Sequence, residues 1–156
     1  MKTRPMLVLL ATAMLAVTVP AAANAQDAPD MQERIETVLA DNPGGVQTGW
    51  NEVTWDDGAV ILTIAPDSDI APRTIGSCAT GAFCAYSQAG YLGSKLTFTT
   101  CTANHSVSTL GAPVRSIANA RNNNTVKALN GSTVVLTVPA NTGKNTTASI
   151  TKLSCS

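Results

Sequence analysis

The sequence predicts a mostly β protein: a two-sheet sandwich preceded by a short helix and a β-hairpin extension. Three observations carry this. Beyond residue 76 the chain is a series of strand-length segments rich in threonine and valine, divided by turn residues and without a helical period. Asn130-Gly131 stands between "TVKAL" and "STVVLTV", and both residues tolerate the positive φ of a tight hairpin turn. Ahead of this region one stretch alone repeats its apolar residues at helical spacing.

In chain order, Lys2 and Arg4 precede an apolar run from Met6 to Pro20, which ends at the small residues Ala23 and Ala25. This pattern predicts a signal peptide over 1–25, with the secreted chain starting at Gln26 and no membrane association after cleavage. The run is too short and too alanine-rich at its end for a stable span. An acidic helix and hairpin are expected over 26–66. Asp30 can cap a helix in which Glu33 stands three residues later and Met31, Ile35, Val38 and Leu39 share one face, and Asn42, Pro43 and Gly44 stop it. Val53 and Trp55 then alternate with polar residues up to Asp56-Asp57-Gly58, and "AVILTI" follows, which predicts one hairpin turning at the Asp-Gly pair. Two carboxylates on such a turn are read as solvated turn-formers rather than a paired acid site. Pro66, Pro72 and their polar neighbours predict a linker over 67–75. The β domain, 76–156, has candidate strands "AFCAYS", "SKLTFTT", "VRSIANA", "TVKAL", "TVVLTVP" and "ASITKLS".

Charge divides the chain. Every acidic residue lies between Asp27 and Asp69, whereas from Ile70 onward there are only cations: Arg73, Lys95, Arg115, Arg121, Lys127, Lys144 and Lys152. Either the two regions attract each other within one molecule, or a basic face is offered to an acidic partner. Nucleic acid is not expected, because dispersed cations with few aromatics form neither a dense stripe nor a stacking platform. The cysteines Cys78, Cys84, Cys101 and Cys155 are even in number, so in an exported chain they predict two bridges. One histidine and no Cys-x-x-Cys pair leave zinc without ligands or spacing. Four cysteines allow three connectivities. The preferred one joins Cys78 to Cys84 across a small turn and Cys101 to Cys155, tying the C-terminal segment to the middle of the chain.

"CAYSQAGYLG" places Tyr86, Tyr91 and Gly93 as aromatic, four residues, aromatic, one residue, glycine, with Ser116 following inside "VRSI". This resembles the Greek-key signature of the βγ-crystallin fold. The resemblance implies that the first aromatic is a corner over a folded hairpin, that the glycine takes a conformation a Cβ would strain, and that the serine bonds back to the hairpin. With Cys78, Gly81 and Cys84 ahead of it, the stretch from Cys78 to Cys155 is similar to the secreted actinobacterial relatives of the Streptomyces metalloproteinase inhibitor. That resemblance implies a βγ-crystallin-like Greek-key sandwich and an inhibitor of an extracellular proteinase; the chain is expected to be a monomer. The second half departs from the family pattern: it lacks a second aromatic motif and the short disulfide-closed loop that carries the reactive site, so no reactive-site residue transfers.

No catalytic residue, metal or cofactor is expected. The β region offers no carboxylate to orient His105, Ser106 and Ser108 are too close to it in sequence for a triad, and the histidine is read as a solvated loop residue. Calcium would need paired oxygen ligands shortly before a serine. Those positions hold Gly111 and Ala112 before Ser116, and Asn145 and Thr146 before Ser149. Partner contacts are expected on two polar, cation-bearing loops, "NARNNN" and "NTGKN", with Asn119, Arg121, Asn123 and Lys144 as the candidate residues. The competing reading is a non-inhibitory cell-envelope or antimicrobial module whose basic face docks on anionic polymer.

Overall fold

The computed structural model describes residues 27–66 and 78–156. The signal segment expected over 1–25 and the linker expected over 67–75 lie outside the described residues. Helix α1 spans Asp27–Asp41, so it starts three residues ahead of the cap expected at Asp30. It stops where expected. The backbone N–H of Asn42 donates to Val38 O at 2.9 Å, its side-chain amide donates to the same oxygen at 3.0 Å, and Gly44 follows Pro43 at φ 88°. Met31 and Ile35 are buried in the core, and Val38 and Leu39 pack against it.

Three strands follow where one hairpin is expected: β1 (Val46–Gly49), β2 (Glu52–Trp55) and β3 (Val60–Thr63). The missed turn lies at Trp50-Asn51, between the paired residues Gly49 and Glu52. Its central residues carry no glycine or proline, and β1 is an exposed edge with a single apolar residue, so neither signal shows in the pattern. The β2–β3 turn does use Asp56-Asp57-Gly58, all at positive φ, with both carboxylates exposed.

The remaining strands are β4 (Phe83–Gln88), β5 (Leu92–Phe98), β6 (His105–Ser106), β7 (Ser116–Asn119), β8 (Val126–Asn130), β9 (Thr133–Val138), β10 (Thr142–Asn145) and β11 (Lys152–Cys155). They form a seven-stranded sheet in the order β1-β2-β3-β5-β4-β7-β10 and a four-stranded sheet in the order β6-β11-β8-β9. Every pairing is antiparallel. The chain is therefore the mostly β sandwich that the pattern predicts.

Its topology is an exchange. Strands β4, β5 and β7 lie in the large sheet while β6, between them in sequence, crosses to the small one; β8, β9 and β11 lie in the small sheet while β10 crosses back. Each four-strand unit lends its third strand to the other, so neither half closes its core alone. The acidic extension joins the same sheet, because β3 pairs with β5 from Val60↔Phe98 to Thr63↔Lys95. Met31, Ile35, Val53 and Leu62 share one apolar cluster with Phe83, Leu96, Phe98, Val126 and Leu153. The large sheet is wider than the small one, and α1 covers the surplus.

The β8–β9 hairpin appears with a one-residue shift. Asn130 pairs with Thr133, so Gly131 and Ser132 are central, and only Gly131 has positive φ (60°), the pattern of a type II′ turn. "NTGKN", expected as a loop, is the edge strand β10. It is held by its register on β7, from Thr142↔Asn119 to Asn145↔Ser116, rather than by the β propensity of its own residues. The bridges are Cys78–Cys84 and Cys101–Cys155, the preferred pairing.

Candidate functional site

The site begins at the folded β4–β5 hairpin, whose register shifts between Tyr86 and Gln88. Gly93 sits at φ 76°, where a Cβ would run into Ser87 Oγ and lie 2.9 Å from Gln88 Cγ. Ser87 Oγ accepts the Ser94 N–H at 2.9 Å. Ser116 Oγ accepts the Tyr91 N–H at 2.9 Å and donates to Gln88 O at 2.7 Å, so one hydroxyl satisfies both sides of the bend. Tyr86 is fully buried and meets the Tyr91 ring edge-to-face at 5.8 Å.

Burial, and then the neighbouring Tyr91, push the Tyr86 phenol up from 10.0 to about 12. Ionising it thus costs roughly 3 kcal/mol more in the fold than in the unfolded chain. The buried, protonated phenol's contribution to stability is complete below pH 10 and is lost as pH rises toward 12. An ultraviolet pH titration should show one tyrosine ionising only as the fold is lost at high alkalinity. A Tyr86 that ionises at the ordinary value would contradict the buried corner.

Tyr91, at φ 63°, reaches out of the hairpin and lies on Gly143 of β10, so closely that any side chain there would collide with its ring. The Asn145 Oδ1 accepts the Gly90 N–H at 2.9 Å. The corner therefore anchors the exchanged strand. That anchoring also occupies the side-chain oxygen of Asn145, which stands at one of the positions before Ser149 where calcium would need a ligand.

The two segments expected to bear contacts adjoin, because the Asn141 N–H donates to Arg121 O at 3.0 Å. Their candidate residues differ in role. Asn119 is not exposed as expected: at 1% exposure it donates to Asn124 O (2.8 Å) and Val138 O (3.2 Å) and accepts the Arg121 N–H at 3.2 Å. It shapes the loop from inside, since a buried amide must find partners. The Arg121 guanidinium is half-buried, donates to Thr99 O at 2.6 Å and lies 5.7 Å over the Phe83 ring. Asn123 and Lys144 are exposed. Together the segments border an open cleft of about 360 Å³ lined by Cys78, Tyr91, Ala120, Asn141 and Gly143.

His105 corrects the reading of a solvated loop residue. It is 6% exposed and wedged against Phe83 (5.1 Å, edge-on) and Phe98 (4.8 Å, tilted). The Thr102 N–H donates to His105 Nε2 at 3.2 Å, which assigns the ring proton to Nδ1. Polar neighbours in sequence hid it, since no local pattern records that the loop tucks its histidine under two phenylalanines. Ser106 and Ser108 bond each other at 2.8 Å and leave the imidazole alone. Among the described residues no group of three or more His, Cys, Asp or Glu side chains could hold a metal ion. No described helix is long and apolar enough to cross a membrane.

What these elements define is a disulfide-tied β scaffold on which two polar segments adjoin. Residues 71–134 match the model of peptidase inhibitor family I36, which supports the resemblance to the Streptomyces metalloproteinase inhibitor family over that stretch. The match takes in the hairpin corner, Ser116 and the Asn119–Asn124 loop; β10 and Cys155 lie beyond it. No curated protein and no solved structure matches the chain.

Proposed function

We propose that this chain is a secreted inhibitor of an extracellular proteinase, a metalloproteinase first of all. The contact would be made by the joined surface of the Asn119–Asn124 loop and β10, with Asn123 and Lys144 outermost. The observation that carries the reading is the Asn141–Arg121 bond, which fuses two cation-bearing segments into one surface. Tyr91, Asn119 and the bridges hold that surface before any partner arrives, so little ordering entropy remains to oppose binding. The exchange of third strands supports the βγ-crystallin-like reading of the scaffold, and the bridges fit an oxidising, extracellular setting. No carboxylate side chain lies on this part of the chain, so the partner's matching surface is acidic.

The test is to titrate thermolysin-like and serine proteinases with the chain and follow peptide hydrolysis. Slowing at micromolar concentration is expected, with Lys144→Glu about tenfold weaker. If no proteinase is slowed and the chain is digested, the inhibitor reading fails. Binding to anionic cell-wall polymer that fades with added salt would then favour the envelope module.

A further inference from the structure

We infer that His105 is a proton-operated latch on the Asn119–Asn124 loop: protonating it unseats Arg121 and loosens the surface on which the proposed proteinase contact rests. The physical link is a continuous stack. Arg121 lies over Phe83, Phe83 meets His105 edge-on, and His105 leans on Phe98. Below the ring, His105 Nε2 accepts the Thr102 N–H. Thr99, three residues before Thr102, supplies the carbonyl that holds the Arg121 guanidinium. The segment from Thr99 to His105 thus touches the imidazole at one end and the candidate loop at the other.

A proton on Nε2 changes both ends. The imidazolium Nε2–H can donate to Thr102 Oγ1, 2.9 Å away, but Nε2 no longer accepts, and the Thr102 N–H is left unpaired in a partly buried place. The new charge sits between two phenylalanines with nothing negative to meet it. Phe83 from β4, Phe98 from β5, Leu153 opposite it on β11 and Thr102 are neutral. The charged groups near it are Arg121 and, beside Leu153 on β11, Lys152, which bonds Asn104 Oδ1 at 3.4 Å. Both are cations, and the carboxylates nearest this segment belong to the Asp56-Asp57 turn, whose neighbours Gly58 and Ala59 meet Thr99 through their carbonyls; none is among the causes that shift the ring. Relief comes by moving the Thr99–His105 segment or the guanidinium, and either motion breaks the Arg121–Thr99 bond. Burial first, and then Arg121, hold the imidazole below its ordinary 6.5. The loop is therefore seated above pH 6.5 and released as pH falls through the lower folded value.

The chain has a single histidine, so its ring resonances are unambiguous in an NMR titration of the full chain from pH 8 to 4. The ring, the Thr102 amide, the Arg121 side chain and the Asn119–Asn124 amides should move together, reversibly, with one midpoint below 6.5. His105→Gln, whose amide oxygen can accept the Thr102 N–H without titrating, should flatten the loop's response. A ring that titrates while the loop stays fixed overturns the latch, as does a ring that stays neutral until the protein unfolds. The wild-type titration decides even if the variant misfolds. For a proteinase that binds at pH 8, affinity should be about tenfold weaker one unit below the midpoint. Coupled titration with no proteinase bound at any pH supports the latch and removes only the inhibitor reading.

Discussion

Removing the Cys101–Cys155 bridge by replacing both residues with alanine should lower stability by about 4 kcal/mol and the melting temperature by about 15 °C. The bridge spans a sequence separation of 54 and closes the last strand of the small sheet onto the segment leaving β5. Without it the unfolded chain regains the freedom of a long loop, and β11, which pairs with both β6 and β8, loses its tether. Cys155 is also 5% exposed, so alanine leaves a small void there. The Cys78–Cys84 bridge closes a separation of only 6, and its loss should cost about 2 kcal/mol. Calorimetry on the two double-alanine variants tests the order. Equal effects, or a larger one at the short bridge, would contradict the loop-length account.

Phe83→Ala should cost about 3–5 kcal/mol in urea denaturation, the range for deleting a buried aromatic side chain. Phe83 is fully buried, stacks on Phe98 at 5.1 Å, meets His105 edge-on and lies beneath Arg121. Truncation empties the centre of the core and removes the surface on which both polar groups rest. The variant should therefore also show faster amide exchange in the Asn119–Asn124 loop than an equally destabilising change at Leu153, which is just as buried but on the far sheet. A cost under about 1 kcal/mol would mean that the cavity collapses and that the stack is not a support.

The sequence by itself determined the features whose causes are local. Helix α1 follows from an apolar period and a stop signal, and the hairpin at Gly131 from a residue that takes positive φ without strain. The spacing of Tyr86, Tyr91 and Gly93 was legible through its resemblance to the βγ-crystallin signature, whereas Ser116 reaches that corner from β7, 25 residues beyond Tyr91. The even cysteine count called for two bridges. Only the tertiary structure decided the rest. Strand β10 has weak propensity and exists because β7 offers it a register and Tyr91 lies on Gly143. The change of charge sign near residue 70 does not mark an edge of the fold, since β3 and β5 pair across it. Asn119 and His105 sit among polar neighbours and read as surface, yet each is buried by contacts made far along the chain. Exposure is a property of what packs above a residue, and in a sandwich whose halves exchange strands that covering comes from sequence-distant segments no local pattern records.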